Sequence, residues 1–191
     1  IIKNLSKLSV HVRSLPSVSK IAEGKVKIDD LLEIDISDLL GRDLVKPNIN
    51  FLKTNITNKV VLVTGAGGSI GSELCRQIIK LKPKKLILFE LSEPSLFQIQ
   101  QEILQLNDFE VEIFAMLGSV RDKLRVEKTF NHFDIQTIYH AAAYKHVPMM
   151  EFNQSEGVLN NIIGTMIIAE AAIKFNIEMF IFVSTDKAVR P

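Results

Sequence analysis

Between residues 60 and 81 three features succeed one another without a linker: a β-branched run, a cluster of glycines and an amphipathic segment. Val60–Thr64 is β-branched at every position but Leu62, which suits a buried strand. Ile70, Leu74, Ile78 and Leu81 recur at helical spacing, which predicts a helix over 69–81. The turn between them reads Gly65-Ala66-Gly67-Gly68-Ser69-Ile70-Gly71, so Gly65, Gly68 and Gly71 form a GxxGxxG pattern and Gly67 adds a fourth glycine. Each spacing has a physical use. The first glycine permits the tight turn, the second lets backbone approach a pyrophosphate, and the third lets the helix pack closely on the strand. A helix opening at Ser69 and Ile70 then offers unpaired N–H groups and a positive dipole end to phosphates. A glycine motif gains specificity from its place between strand and helix, and this one has that place.

The rest of the chain supports the same reading. Apolar runs at 86–90, 111–116, 137–141 and 179–184 read as further strands. Segments with helical periodicity lie between them: Leu96, Ile99, Ile103 and Leu106, then 121–130, then 155–175. Strands alternating with helices imply parallel βαβ units with right-handed crossovers. The expected fold class is α/β, a Rossmann-like doubly wound sheet with strand order 3-2-1-4-5. Such sheets hold ligands at the carboxyl ends of their strands. Residues 1–57 lack this pattern and read as a connector that comes after a preceding domain, with a short capped turn at 37–41. Residues 58–191 read as the dinucleotide-binding domain, cut after its fifth strand. The sequence opens without Met and reads as a piece of a longer chain.

Composition excludes several classes. A formal net charge of +1 with scattered basic residues gives no footprint for nucleic acid. The lone Cys75 excludes an internal disulfide and a CxxC metal site, so no metal is expected and a cytoplasmic setting fits. No apolar run is expected to reach the ~20 residues of a membrane span.

Glu90 ends the second strand, where a carboxylate accepts hydrogen bonds from the adenosine ribose and repels a 2′-phosphate. NAD is therefore expected over NADP. Asp122 comes after the third strand, on the segment expected near adenine.

Two further motifs complete the set: His140-Ala-Ala-Ala-Tyr-Lys-His-Val-Pro148 and Ser184-Thr185-Asp186-Lys187-Ala188. With Thr64–Glu73 they resemble the extended short-chain dehydrogenase/reductase superfamily, and within it the UDP-N-acetylglucosamine 4,6-dehydratases of the polysaccharide-biosynthesis branch. The resemblance spans about 58–191, and the AAAYKHVP and STDKA pieces are its most specific parts. It implies a reaction in which hydride leaves sugar C4 for bound NAD, the C5 proton is removed, the C6 hydroxyl departs, and hydride returns to C6. By the same comparison Asp186 is the acid at C6 and Lys187 the base at C5, unless it stays charged to stabilise the enolate. Thr185 is a hydrogen-bond donor to the C4 oxygen, and Ala141 and Ala142 lie against the dinucleotide. Lys145 and His146 are placed toward the UDP-sugar, as is Asn161, which matches a family asparagine that supports the active-site backbone. His140, Met149 and Met150 read as structural. The superfamily's Tyr-x-x-x-Lys pair, or Met-x-x-x-Lys, belongs on a helix beyond Pro191. A sheet ending at its fifth strand leaves an unpaired edge, so a homo-oligomer is expected. The resemblance further implies anchoring at the inner face of the cell membrane through an N-terminal region outside this sequence. The isolated chain is expected to be inactive. A UDP-sugar epimerase or dehydratase–epimerase shares this half, and a non-catalytic dinucleotide-binding module is the alternative from another class.

Overall fold

In a computed structural model the described residues are 13–14 and 32–33, as backbone only, together with 48–107 and 111–184. Thr185, Asp186 and Lys187, the turn at 37–41 and most of the expected connector lie outside them. The chain divides into two units, Ile1–Pro47 and Asn48–Pro191. In the first, Arg13–Ser14 and Leu32–Glu33 pair antiparallel.

The second unit begins ten residues before the expected boundary near 57, for a packing reason. Asn48 caps a helix, α1 (Ile49–Ile56), by accepting from Phe51 N at 3.2 Å. Ile56 is buried in the core, and Asn55 O accepts a hydrogen bond from Thr137 Oγ1 at 2.7 Å. This helix therefore belongs to the sheet domain.

Five parallel strands form that sheet: β1 (Val60–Thr64), β2 (Lys85–Glu90), β3 (Glu112–Leu117), β4 (Thr137–His140) and β5 (Met179–Phe182). Their order is β3-β2-β1-β4-β5, the doubly wound arrangement expected from the alternation. Register aligns the carboxyl ends: Thr64 sits opposite Phe89 and His140, and His140 opposite Phe182. Every residue of β1 and β4 is buried, because helices cover both faces. On one face Val61, Val63, Leu86 and Leu88 meet Cys75, Ile78 and Ile79 of α2 (Ser69–Ile79) and Leu96, Ile99 and Ile103 of α3 (Glu93–Gln105). Arg76 forks onto Glu102 (2.5 and 3.1 Å) and joins those two helices. On the other face Leu62, Ile87, Phe89 and Ile138 pack against Val126, Phe130 and Phe133 of α4 (Lys123–Phe133) and against Ile167 and Ile168 of the helix that leads into β5.

The segment between β4 and β5 holds the expected long helix and adds a short one before it. A short helix α5 (Val147–Phe152) comes first, and the helix expected over 155–175 then runs without a break as α6 (Gln154–Gly157), a π-helical turn (Val158–Gly164) and α7 (Thr165–Lys174). Helix α5 buries nothing, so Met149 is exposed rather than packed. The continuous stretch Gln154–Lys174 (21 residues) is long and apolar enough to span a bilayer, with mean hydropathy 1.2 over an 18-residue window. The expectation of no such run is corrected on length and composition alone. Ile167, Ile168, Ala171 and Ala172 are buried against the sheet, which is the packing of a core helix.

Candidate functional site

The glycine turn is built around two close approaches. Gly65 leaves β1 with φ +64°, and a side chain there would put Cβ 2.7 Å from Ala142 Cα. Gly71 lies under the turn, where a Cβ would stand 1.9 Å from Gly65 O. Only glycine lets strand, turn and helix meet this tightly. Helix α2 opens from Gly68 with no side-chain cap. The N–H groups of its first turn, Ser69, Ile70 and Gly71, therefore have no intrahelical acceptor and form an anion-binding start.

Glu90 stands beside this turn at the end of β2. Its Oε2 accepts from Gly67 N at 3.0 Å, and its Oε1 from Leu91 N at 2.9 Å and Ser92 N at 3.0 Å. The carboxylate thus ties the glycine turn to the β2–α3 loop. A carboxylate has about four acceptor sites, so three backbone donors leave room for a ribose hydroxyl.

A cleft of about 300 Å³ opens at the carboxyl ends of the strands. Gly65, Gly67 and Gly68 form one wall, Glu90, Leu91, Ser92 and Ser95 a second, and Gly118, Ser119 and Val120 a third. Ala141, Ala142, Ala143, Tyr144 and Asn160 close it. The volume is at the lower end for small-molecule sites, and the walls converge on backbone donors and one carboxylate. These groups fit a dinucleotide: helix N–H groups for the pyrophosphate, Glu90 for a ribose, and an apolar loop beyond. Among the described residues no three His, Cys, Asp or Glu side chains come together to hold a metal.

The expected site residues separate in space. Gly65, Gly67, Gly68, Glu90, Ala141 and Ala142 line the cleft, with Ser69, Ile70 and Gly71 in the adjoining helix turn. Asp122 does not line it. Its carboxylate caps α4 by accepting from Arg125 N at 3.0 Å, and Ser119 and Val120 face the cleft instead. Asn161 spends both ends of its amide on Tyr144. Oδ1 accepts from Tyr144 N at 2.8 Å, and Nδ2 donates to Tyr144 O at 2.9 Å. Oδ1 also accepts from Asn160 Nδ2 at 3.1 Å, and the amide acts as a backbone clamp on Tyr144. The clamp fixes the Tyr144 backbone at the cleft wall. Lys145 and His146 are exposed just past the cleft rim, His146 at the start of α5. His140 is fully buried, stacked near Phe180 and Phe182, and burial pushes its pKa down to about 4.

Sequence reasoning missed Ser92, Ser95 and Asn160. The serines had a signal: Ser92-Glu93-Pro94-Ser95 directly after a strand is a helix-capping pattern, and Ser92 Oγ accepts from Ser95 N at 3.4 Å. Asn160 had none, because only the π turn rotates it toward the cleft.

Comparison with known proteins agrees with this geometry. Residues 61–191 match the family described as polysaccharide biosynthesis protein. Over 182 residues the chain is 41% identical to the capsular polysaccharide biosynthesis protein CapD of Staphylococcus aureus, covering 95% of this chain and 30% of that protein. Over 134 residues it is 33% identical to a UDP-N-acetylglucosamine 4,6-dehydratase (inverting) of Campylobacter jejuni, covering 70% and 38%. Among solved structures, Pen from Bacillus thuringiensis superposes with a TM-score of 0.64 at 32% identity, over 71% of this chain and 40% of that one. A UDP-glucose-4-epimerase from Stenotrophomonas maltophila with bound NAD shares the fold, with a TM-score of 0.58 at 20% identity, over 68% and 38%. The chain spans about a third of the length of the curated relatives it matches.

Proposed function

This chain belongs to the polysaccharide biosynthesis protein family, and from that premise we propose that it forms the dinucleotide-binding part of an NAD-dependent UDP-N-acetylglucosamine 4,6-dehydratase. The observation that carries the reading is the cleft at the strand ends, where the α2 N-terminus and the Glu90 carboxylate stand side by side. Ser69, Ile70 and Gly71 would hold the pyrophosphate, Glu90 the adenosine ribose, and Ala141 and Ala142 the inner wall. The bound dinucleotide would supply the hydride acceptor and donor. Glu90 favours NAD, since a 2′-phosphate beside a carboxylate meets like charge. The 33% identity to a named dehydratase supports a UDP-sugar substrate over other carbonyl compounds.

The acid and base would come from the segment after β5. In this reading Asp186 gives a proton to the departing C6 hydroxyl and Lys187 takes the C5 proton, while Thr185 donates to the C4 oxygen. A lysine serves as base only where burial or a cationic neighbour lowers its pKa. Lys145 and His146, exposed at the rim, would meet the substrate's phosphates or line the sugar site. We place the domain in the cytoplasm and assign any membrane attachment to another part of the protein.

Product analysis tests this reading. In the protein carrying this sequence, UDP-N-acetylglucosamine is expected to give a 4-keto-6-deoxy sugar. Asp186→Asn and Lys187→Ala should each lower turnover roughly 10²–10⁴-fold, with dinucleotide affinity little changed. A C4 epimer as sole product would point to an epimerase. Near-normal dehydration by either variant would remove that residue from its role.

A further inference from the structure

Three observations meet at His140. The ring is fully buried at the end of β4, directly across from Thr64, the last residue of β1. Its Nδ1 lies 2.6 Å from Thr64 Oγ1, and its Nε2 lies 3.0 Å from Thr165 Oγ1, the first residue of α7. Thr165 Oγ1 in turn donates to Asn161 O at 2.8 Å.

The proton count along this line has one solution. A threonine hydroxyl carries a single proton. Thr165 gives its proton to Asn161 O, so toward His140 it can only accept, and His140 Nε2 must carry hydrogen. A neutral imidazole has one donor and one acceptor nitrogen, so Nδ1 accepts and Thr64 donates to it. Protonating Nδ1 would set two donors against each other unless Thr64 turned its own proton away. The line is directional from Thr64 to the π turn, with every group satisfied. It ends on Asn161, whose side chain clamps Tyr144 from both sides. Ala141 to Tyr144 form the cleft wall between β4 and that clamp.

We propose that His140 is a positioning residue. As the neutral Nε2–H tautomer it locks the π turn to the strand ends, so that Asn161 holds the loop of residues 141–144 in the shape that walls the cleft. The π turn explains why a side-chain link is needed there. An i→i+5 turn shifts backbone pairing by one residue, and such turns persist where neighbours hold them. Thr64 immediately precedes Gly65, so the same histidine ties the glycine turn and the alanine loop to one reference point. The consequence for ligand affinity rests on reading the cleft as a dinucleotide site; the tautomer and the loop order do not.

Nitrogen NMR of histidine-labelled chain tests the first part, and should show His140 as the Nε2–H tautomer at neutral pH. The Nδ1–H form would overturn the proposal. Amide hydrogen exchange tests the second. Thr165→Val removes the relay hydroxyl at nearly constant volume. It should lower protection at the Tyr144 amide roughly ten-fold or more relative to the Leu62 amide in β1. Thr165→Ser should restore it. Equal loss at both amides, or none at Tyr144, would show ordinary packing and overturn the positioning role. If Thr165→Val does not fold, the tautomer in the unmodified chain still decides. Affinity for NAD+ should fall about ten-fold in Thr165→Val and recover in Thr165→Ser. Should the unmodified chain not bind NAD+, the dinucleotide reading fails while tautomer and exchange still judge His140.

Discussion

His140 contributes far more than its residue type alone reveals. Placed at a strand end in the sequence, it reads as structural. Only the fold reveals that its two nitrogens face hydroxyls of opposite donor sense. Burial lowers its pKa from 6.5 to about 4, so the folded form resists protonation that the unfolded chain accepts below 6.5. Its contribution to stability is therefore intact above pH 6.5 and is lost as pH falls toward 4. Linkage puts that loss at about 3 kcal/mol. Urea unfolding across this range should show a steeper fall in the unmodified chain than in His140→Asn. Identical pH slopes would mean that the histidine titrates normally. Asp122 illustrates the opposite case. Its position after β3 suggests a ligand contact, yet an aspartate just before a helix is also a cap, and capping is the role its carboxylate takes.

At the scale of elements, strands and amphipathic helices were legible and irregular helices were not. The five strands and their order emerge from β-branched runs and from alternation with helical periods. Helix α1 was hidden because its N-terminal half exposes Ile49 and Phe51, and only Ile56 is fully buried. The π turn at Val158–Gly164 was hidden because it leaves the apolar spacing nearly unchanged while rotating the residues within and beyond it. That rotation brings Asn160 to the cleft and Asn161 to Tyr144. Since α1 supplies a core side chain, Ile56→Ala should cost about 2–4 kcal/mol in denaturant unfolding, the range for emptying a buried isoleucine site. A cost near zero would return the residues before 58 to the role of a linker.

For the whole molecule, the glycine turn was the most legible part of the site because its constraint is steric. Gly65 and Gly71 are forced by contacts that no side chain survives. Glu90 was legible in position but not in its work inside the protein, where it binds three backbone N–H groups before any ligand arrives. The proposed function stands or falls on whether this cleft takes NAD through the α2 N-terminus and Glu90. The decisive measurement is calorimetric titration of the chain with NAD+ and NADP+, repeated on Glu90→Ala. Saturable NAD+ binding, tighter than NADP+ binding, is expected, with the difference narrowed in the variant. Tighter NADP+ binding by the unmodified chain, or no saturable binding of either, would contradict it.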